Sequence, residues 1–528
     1  MDLHGHQIIA GQPGTHGTRT FHGIDPATGD KTTPPILEAT ASEVDQALQA
    51  ADACFAQYRR LGGERTATFL EAIAEEWMGL GDELLQQAQR ETALPMGRLN
   101  GERARMVNQT RMFAALVREG SWVDARIDRG DPQRQPLPKP DVRRMLQPIG
   151  PVVVFGASNF PFAISVGGGD TVSALAVGCP VVAKAHPSHP GTCEMIGRAI
   201  VAAAEKSGVP AGAFGMLHGA GHEVGMALAR HPLTRVVAFT GSQAGGQALF
   251  KATASRPDPI PVYAEMGSTN PVFVLPSAMA ERPAQIAEGY VQSVTLGTGQ
   301  FCTNPGVLLA AEGPGLREFL DAAAAAAAAI APSTMLSNGI CQAFQGGRDR
   351  IRKTPGVTVL GESSTASAGP DAQAACAIFK TDLATIEAQS HLWEEVFGPT
   401  SVVVVCPGAA DFERVAAHLH GHLTASIHAT PSELESQAEL VRLLERKVGR
   451  VIFNGYPTGI EVCSAMHHGG PFPATTDSHY TSIGMASIDR FVHPICYQGF
   501  PQPALPPELR DDNSRGIWRL VDGRRTNQ

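Results

Sequence analysis

The residue of this sequence that most suggests chemistry is Cys302. It belongs to the segment Gly299–Asn304, GQFCTN, in which a glycine and several polar residues surround it. A thiolate is the strongest nucleophile that a protein offers near pH 7, and exposure in a turn favours its reactivity. A lone cysteine is more often a buried structural residue. The interpretation of Cys302 as a nucleophile therefore depends on its partners.

Two polar residues at predicted strand ends could assist such a nucleophile. Glu265 follows a strand predicted over 261–264 and precedes a flexible glycine, which makes it a candidate general base. Asn159 follows the predicted strand Val152–Phe155, and its side-chain amide could stabilise an oxyanion. Each residue also has a plainer interpretation, namely a solvated glutamate and an asparagine that caps a helix.

Other segments could hold phosphate or ribose groups. Gly241, Ser242 and Gly246 follow a predicted strand and open a helix whose N-terminus could bind a pyrophosphate. They do not form a GxGxxG pattern, so a plain strand-to-helix turn is the alternative. Lys184 lies near the end of a strand predicted over 180–185, and it could hold a ribose or remain solvated. The segment Trp393–Pro399 predicts only a helix end and a Gly-Pro turn.

The elements that must position these residues are predicted to form an α/β fold. Apolar runs alternate with helical stretches over 151–275 and, less regularly, over 272–455, which predicts parallel sheets that bind ligands at the carboxyl ends of their strands. The first 120 residues are predicted to be mainly helical, with Ser42 and Asp45 as a capping pair. Residues 121–150 predict two strands around a proline-rich loop, either an oligomer arm or an ordinary surface loop.

Composition excludes several classes of protein. The 528 residues, 43% of them hydrophobic and 18% charged, are enough for at least two cores. A net charge of −9 without a block of like charges argues against a nucleic-acid or anionic-membrane partner. No apolar run reaches the roughly 18 residues of a membrane helix, and no signal peptide is predicted.

The cysteine and histidine patterns predict a reducing, cytoplasmic environment and no metal. The nine cysteines are scattered without a CxxC pair, which is not typical of a disulfide scaffold or a zinc site. His467 and His468 are adjacent, and His186 lies close to His189, but no carboxylate or cysteine accompanies either pair in a recognised ligand motif. A structural role is therefore predicted for these histidines.

Taken together, these motifs resemble the aldehyde dehydrogenase superfamily over nearly the whole chain. The residues that carry the resemblance are Asn159, Lys184, Gly241, Gly246, Glu265, Cys302, Glu395 and Phe397. Many members have a Pro-Phe-Gly-Gly loop near the C-terminus, whereas here 454–462 is NGYPTGIEV and 468–475 is HGGPFPAT. With EMGS at 265–268 and HPSHP at 186–190, the chain resembles the bacterial α-ketoglutaric semialdehyde (2,5-dioxovalerate) dehydrogenase branch, which also contains broader NADP-dependent aldehyde dehydrogenases.

The resemblance implies two doubly wound, Rossmann-like α/β domains and a small β oligomerisation arm. Residues 1–120 and 151–270, with part of 455–485, would form the cofactor-binding domain. Residues 271–454 would form the catalytic domain that carries Cys302. Residues 121–150 and 486–528 would form the arm and the C-terminal tail. A homodimer or homotetramer is expected.

The resemblance also implies a two-step oxidation of a small-molecule aldehyde to an acid. Cys302 would attack the aldehyde, Asn159 would stabilise the oxyanion, and NAD(P)+ would accept the hydride. Glu265 would then activate the water that hydrolyses the thioester. Relatives that transfer the acyl group to coenzyme A typically lack this carboxylate, so its presence favours release of the free acid.

For the cofactor, the resemblance assigns Lys184 to the adenosine ribose, Gly241, Ser242 and Gly246 to the pyrophosphate region, and Glu395 and Phe397 to the nicotinamide half. NADP is favoured over NAD, and use of both remains open. The groups that could meet a 2′-phosphate near Lys184 are His186, Ser188 and His222. A neutral histidine is a weaker phosphate partner than arginine.

For the substrate, a semialdehyde with a distal carboxylate needs a cation in the tunnel. The candidates Arg105, Gln109 and Arg111 lie on the third predicted helix, and their spacing allows at most one arginine to point inward. Candidate apolar walls are Phe160, Phe162, Phe301 and Phe472. These walls would suit a medium-chain aldehyde equally well. A broad aliphatic or aromatic aldehyde dehydrogenase is therefore one alternative, and a non-catalytic binding protein is a distant one.

Overall fold

The computed structural model describes residues 2–365 and 372–528. In these residues the strands are, in chain order, β1 (Gln7–Ile9), β2 (Gln12–Gly14), β3 (Thr20–Phe21), β4 (Ile36–Leu37), β5 (Arg126–Asp128), β6 (Val142–Pro148), β7 (Val152–Phe155), β8 (Val181–Lys184), β9 (Phe214–Leu217), β10 (Val236–Thr240), β11 (Val262–Glu265), β12 (Val272–Val274), β13 (Val307–Ala311), β14 (Ser333–Thr334), β15 (Thr358–Glu362), β16 (Gln373–Ala374), β17 (Ala377–Asp382), β18 (Thr400–Cys406), β19 (His422–His428), β20 (Val448–Phe453), β21 (Val492–Gln498), β22 (Arg519–Val521) and β23 (Arg524–Thr526).

The α-helices of the same residues are α1 (Ala41–Tyr58), α2 (Gly63–Gly79), α3 (Gly81–Thr92), α4 (Met96–Glu119), α5 (Gly169–Ala176), α6 (Pro190–Ser207), α7 (Glu223–Arg230), α8 (Gln243–Ala254), α9 (Pro276–Glu281), α10 (Pro283–Thr295), α11 (Leu316–Ala329), α12 (Asn338–Arg352), α13 (Leu383–Ala388), α14 (Ala410–His418), α15 (Pro431–Ser436) and α16 (Ala438–Glu445). None of them is both long and apolar enough to cross a membrane.

The first large sheet has the strand order β11-β10-β7-β8-β9-β1-β2. Strands β7 to β11 run parallel, and β1 pairs antiparallel with β9. Val152 and Val154 pack into one hydrophobic cluster, whereas Val153 and Phe155 pack into another on the opposite face. Strands buried on both faces are continuous apolar runs, which explains why the sequence predicts them closely.

The second large sheet is built in the same way, with the order β15-β17-β18-β13-β12-β19-β20. All its pairings are parallel except that of β15 with β17. Successive residues of β13 again enter opposite clusters, with Leu309 on one face and Leu308 on the other. The predicted α/β class with parallel sheets is confirmed.

A third sheet, with the order β21-β6-β5-β22-β23, joins residues from 126–148 to residues from 492–526. It has a small core of its own, which includes Ile127, Met145 and Ile517. The three sheets draw their strands from the three ranges predicted as domains and arm. The division into domains and the role of the third sheet in assembly stay predictions.

Two local expectations are wrong. The capping box of α1 is Thr40 with Glu43 and not Ser42 with Asp45, because the Thr40 hydroxyl accepts from the Glu43 N–H while the Glu43 carboxylate accepts from the Thr40 N–H. The alternative interpretation of Asn159 as a helix cap is also wrong, because the next helix, α5, begins only at Gly169. The N–H groups of Phe162 and Ala163 donate instead to the Glu102 carboxylate.

Candidate active site

A cleft of about 1240 Å³ lies at the carboxyl ends of the parallel strands of the first sheet. The last residues of four strands line the cleft, namely Phe155, Lys184, Thr240 and Glu265. Helix α12 and the loop around Glu395 line the opposite side, together with Cys302. Ligands of parallel sheets bind at this edge. The cleft therefore brings the strand-end motifs and the candidate nucleophile into one space.

Most residues predicted to bind the cofactor line this cleft. They are Lys184, His186, Ser188, His222, Gly241, Ser242, Glu395 and Phe397. Gly246 is the exception, because it belongs to α8, lies on the buried face of that helix and does not line the cleft. A Cβ atom there would lie 2.6 Å from the Met266 sulfur. Its small size lets the helix pack on β11.

The start of α8 has the properties of an anion site. Ser242 is the N-cap residue, and its hydroxyl accepts from the Gly245 N–H at 3.2 Å. Gly241 and Ser242 are exposed to the cleft. A Cβ atom on Gly241 would lie 2.7 Å from the Phe239 ring. The free N–H groups and positive dipole end of such a helix suit a pyrophosphate.

Three further residues that line the cleft, Lys184, His186 and His222, are the candidates for contact with the adenosine half of a dinucleotide. Burial lowers the pKa of Lys184 to about 8, and the structure gives its ammonium group no carboxylate partner among the described residues. Burial also lowers the pKa of His186 well below its usual value, so this imidazole is neutral at pH 7. The His186 Nδ1 atom accepts from the Ser188 N–H at 3.2 Å. His222 is exposed.

Glu395 lies under the strand-end loop that follows Glu265. A Cβ atom at Gly267 would lie 2.3 Å from the Glu395 carboxylate, so only glycine allows this approach. Burial raises the pKa of Glu395 to about 7, and the charge of Glu265 adds to this effect. The cleft therefore holds two carboxylates of different proton affinity.

Cys302 follows a turn that other residues cannot easily form. Gly297, Thr298 and Gly299 all have positive φ angles. A Cβ atom on Gly299 would lie 2.3 Å from the carbonyl oxygen of Gly398, so the close approach of these two loops requires a glycine. The Asn159 amide donates to the Gln300 carbonyl at 3.0 Å and thereby lies next to the same turn.

A second asparagine, missed by the sequence analysis, fixes the chain around the nucleophile. Asn270 Nδ2 donates to the carbonyl oxygens of Cys302 and Asn304, at 2.9 Å in both cases. Asn270 itself has a positive φ of 46°, which asparagine tolerates better than most residues. The segment Ser268–Asn270, directly after Glu265, thus connects the base to the nucleophile loop.

His468 is the most important residue that sequence reasoning missed. Its Nε2 atom lies 2.7 Å from Glu265 Oε1 and 3.6 Å from Cys302 Sγ. It is 1% exposed, and its backbone N–H donates to the Thr481 hydroxyl. No recognised ligand motif joins a carboxylate or cysteine to this histidine in the sequence, but chain folding brings Glu265 and Cys302 to it across 203 and 166 residues.

The contacts of Glu265 define its protonation. Burial alone would raise its pKa, but the charge and hydrogen bond of His468 and the hydroxyl of Ser482 outweigh burial and lower it. The Ser482 hydroxyl donates to Glu265 Oε2 at 2.5 Å. A carboxylate only accepts, so the His468 contact places a proton on Nε2. Glu265 is therefore ionised at pH 7.

The pKa of Cys302 shifts in the direction opposite to that of Glu265. Burial raises the pKa of its thiol well above the usual value, and the negative charge of Glu265 raises it further. The resting state is therefore a thiol beside a carboxylate. Glu265, Cys302 and His468 also offer three ligand atoms within 4.8 Å of one another. The expectation that the protein binds no metal stays a prediction.

The predicted substrate residues divide into two groups. Phe160 and Phe301 contact each other edge to face, with ring centroids 5.6 Å apart, and the Arg105 guanidinium lies over Phe160. Gln109 is buried on the same helix. Two other predictions are wrong, because Arg111 is exposed and Phe162 is fully buried in the hydrophobic cluster of the first sheet. Phe472 is 62% exposed and, like Phe160 and Phe301, is not among the residues that line the cleft, so its contact with the substrate stays a prediction.

Residues 14–471 match the aldehyde dehydrogenase family. The chain belongs to this family. It is 46% identical to alpha-ketoglutaric semialdehyde dehydrogenase 2 of Azospirillum brasilense over 525 residues, which cover 99% of this chain and 100% of that protein. It is 43% identical to alpha-ketoglutaric semialdehyde dehydrogenase of Acinetobacter baylyi over 520 residues, which cover 98% of each chain. The protein is therefore an NAD(P)-dependent aldehyde dehydrogenase, as the motifs indicated.

Solved aldehyde dehydrogenases and related enzymes share this fold. The Thermus 1-pyrroline-5-carboxylate dehydrogenase with bound NAD has a TM-score of 0.78 at 21% identity, covering 93% of this chain and 92% of its own. The aldehyde dehydrogenase KauB of Pseudomonas aeruginosa has a TM-score of 0.78 at 20% identity, covering 94% and 97%. At these identities the likeness shows the fold alone.

Proposed function

We propose that this aldehyde dehydrogenase oxidises 2,5-dioxopentanoate (α-ketoglutaric semialdehyde) to 2-oxoglutarate, with Cys302 as the nucleophile. The observation that carries the chemistry is the convergence of Cys302, Glu265, His468 and Asn159 at one end of the cleft. The substrate is inferred from the two relatives named for this semialdehyde, at 46% and 43% identity.

The residues of the cleft fit a dinucleotide. Gly241 and Ser242 would hold the pyrophosphate at the start of α8, Lys184 the adenosine ribose, and Glu395 with Phe397 the nicotinamide half. When bound, NAD(P)+ supplies the two-electron acceptor of the oxidation. We infer NADP as the preferred form, with NAD also used, because Lys184 has a free ammonium group for a 2′-phosphate. His186 is a weak partner since it is neutral.

In the first step the thiol of Cys302 loses its proton as its sulfur bonds to the aldehyde carbon. The Glu265 carboxylate accepts this proton, because it already accepts a hydrogen bond from the thiol. One N–H of the Asn159 amide is used by Gln300, so the second is free for the oxygen that becomes negative. A donor fixed in this way needs no reorganisation during the reaction.

The adduct becomes a thioester when its carbon–hydrogen bond breaks and the carbonyl re-forms, with the hydride passing to the dinucleotide that the cleft would hold and Glu265 giving up the first proton to solvent. In the second step water attacks this thioester on Cys302. Glu265 takes the proton of that water, the carbon–sulfur bond breaks, and the acid leaves. His468 Nε2 donates to Glu265 throughout, so it orients the carboxylate and stabilises its charge. We propose His468 as a positioning residue of this reaction, because its contact with Glu265 is much shorter than its contact with Cys302.

A broader aldehyde dehydrogenase is the second candidate function. The apolar pair Phe160 and Phe301 favours it, since these rings would also accommodate an uncharged aldehyde. We further propose a cytoplasmic homodimer or homotetramer that uses the third sheet for assembly.

Steady-state kinetics with both cofactors test the proposal. The purified enzyme is expected to reduce NADP+ with 2,5-dioxopentanoate at a higher kcat/KM than with hexanal, measured by absorbance of the reduced cofactor. The Cys302→Ala variant is the matched control for non-enzymatic reduction. A higher kcat/KM for hexanal would reject the semialdehyde as the substrate and favour the broader enzyme.

A further inference from the structure

One face of α4 presents a row of polar side chains to the region beside the nucleophile. Arg98, Glu102, Arg105 and Gln109 follow one another at spacings of four, three and four residues, which place them on one side of a helix. Glu102 is fixed in this row, because its Oε1 atom accepts from two backbone N–H groups of the segment after Asn159. The row is therefore anchored to the active-site loop.

The two arginines of this row touch the aromatic residues that adjoin the catalytic pair. The Arg98 guanidinium carbon lies 4.9 Å from the centroid of Phe160 and 4.6 Å from that of Phe301. The guanidinium carbon of Arg105 lies 5.3 Å from the Phe160 centroid. In addition, Arg98 Nη2 donates to the carbonyl oxygen of Asn159 at 2.6 Å. Both cations are thus held beside the loops that carry Asn159 and Cys302.

Several donors of these side chains are buried without a hydrogen-bond partner. They are Arg98 Nη1, Arg105 Nε, Arg105 Nη2 and Gln109 Nε2. No carboxylate among residues 2–365 and 372–528 forms an ion pair with either arginine, although the charge of Glu102 in the same row counteracts the effect of burial on the pKa of both. Native proteins rarely leave buried hydrogen-bond donors unsatisfied. Such an arrangement is typical of a site whose ligand completes it.

A third arginine lies on the second sheet. Arg450, on β20, donates to the carbonyl of Pro457 at 2.8 Å, while its Nε atom is buried without a partner. Burial lowers the pKa of both Arg105 and Arg450, and each interacts electrostatically with Cys302. Helix α4 and strand β20 therefore each carry an arginine whose charge acts on Cys302.

We propose that Arg98 and Arg105 form a carboxylate-binding subsite, which holds the acidic end of the substrate while its aldehyde reaches Cys302. The fork of a guanidinium matches the two oxygens of a carboxylate, and a 2-oxo acid adds a further acceptor for which Gln109 has a free N–H. This inference rests on the proposed function and names the residues that would select its substrate.

The arginines could bind a carboxylate or only pack against the phenylalanines, and these two roles predict different results. If they only pack against Phe160 and Phe301, their replacement would affect every aldehyde alike. If they bind a carboxylate, the semialdehyde alone loses its partner. The ratio of the semialdehyde kcat/KM to the hexanal kcat/KM therefore separates the two roles, and this ratio does not depend on the amount of folded enzyme.

The test compares Arg105→Met and Arg98→Met with Arg111→Met, an exposed position of the same helix. We expect the ratio to fall roughly 100-fold in the first two variants. Removing one partner of a buried charge pair weakens binding by several kcal/mol. Most of the loss is expected in KM for the semialdehyde. Arg105→Lys is expected to restore part of the lost ratio, because lysine keeps the positive charge but cannot form the bidentate contact of a guanidinium. Arg111→Met is expected to keep the wild-type ratio.

A second measurement does not require the semialdehyde to be the substrate. Glutarate, a dicarboxylate without an aldehyde, is expected to inhibit hexanal oxidation competitively in the wild type and at least tenfold more weakly in Arg105→Met. An unchanged substrate ratio and unchanged glutarate inhibition in both variants would overturn the subsite. A wild-type enzyme that prefers hexanal but keeps arginine-dependent glutarate inhibition would instead reject the proposed substrate and retain the subsite.

Discussion

Helix α6 and the cleft each hold a cysteine in contact with a histidine, and the two pairs differ in their surroundings. In α6 the Cys193 sulfur lies 3.2 Å from His189 Nδ1, and both residues are fully buried. In the cleft the Cys302 sulfur lies 3.6 Å from His468 Nε2. By distance alone the first pair would be the better candidate for catalysis.

The two pairs differ in whether the cysteine lines the cleft and in whether a carboxylate contacts it. Cys193 does not line the cleft, and its pKa is raised to about 12 mainly by burial. The Nε2 atom of its histidine donates to the Ala157 carbonyl, and among the described residues no carboxylate forms a hydrogen bond with this histidine. Cys302 lines the cleft, and Glu265 contacts both the thiol and His468. A reactive cysteine requires a space for the substrate and a group that accepts its proton. We therefore place the chemistry at Cys302.

The largest expected effect is that of Cys302→Ala. Removing a nucleophile eliminates the covalent pathway, so turnover is expected to fall by at least about 10⁴-fold. Reduced-cofactor absorbance with a saturating aldehyde measures this loss. Cys193→Ala, measured in parallel, is expected to keep kcat within about twofold. If the two variants lost activity equally, the distinction between the two cysteines would be wrong.

Glu265→Gln is expected to have the next largest effect, because Glu265 is the carboxylate that distinguishes the Cys302 pair from the Cys193 pair. Turnover should fall roughly 1000-fold through the loss of the base. The thiol pKa of Cys302 should nevertheless fall, since the negative charge that raises it is gone.

Alkylation by iodoacetamide at pH 7, followed at Cys302 by mass spectrometry, reports this change of the thiol. It should become faster in Glu265→Gln although turnover is slower. Slower alkylation would mean that Glu265 ionises the resting thiol, contrary to the direction inferred here.

His468→Gln is expected to lower kcat about 10- to 100-fold, as is usual for residues that orient a functional group. His468 lowers the pKa of Glu265, so its removal should shift the acid limb of the kcat/KM profile to higher pH. His189→Gln is the matched control and should leave that limb in place. If the acid limb of the kcat/KM profile did not shift in His468→Gln, this histidine would have only a packing role.

The smallest effect on activity, and a measurable effect on stability, is expected for Cys193→Ala. The substitution leaves His189 Nδ1 buried without its sulfur partner, which costs about 1–3 kcal/mol. Thermal unfolding should therefore occur at a lower temperature, while KM and kcat stay near their wild-type values. A variant with normal stability and reduced activity would contradict a purely structural role for this pair.

Much of the fold was predictable because its signals are local. Parallel strands buried on both faces are short apolar runs, and β7 has the predicted bounds. The cap of α1 was misplaced by two residues, since Ser42 with Asp45 and Thr40 with Glu43 both satisfy the spacing of a capping box. Backbone hydrogen bonding, which the sequence does not display, selects between them.

Arg98 could have been found from the sequence, whereas His468 could not. Arg98 and Arg105 are seven residues apart, which places them on one face of a helix, but only the exposed fraction of Arg111 shows which face is inward. His468 is brought to Glu265 when the segment after β20 returns to the first sheet, where Thr475 pairs with Glu265. A contact across 203 residues leaves no periodic pattern.

Patterns along the chain were sufficient to predict the apolar parallel strands and the residue types of the chemistry, because each depends on a few neighbouring residues. Cys302, Glu265 and Asn159 could be selected in this way. The tertiary structure decided which cysteine has access to the cleft, which histidine contacts the base, and which arginine donors are buried without partners. These properties depend on packing between distant segments, so the order of the residues alone does not express them.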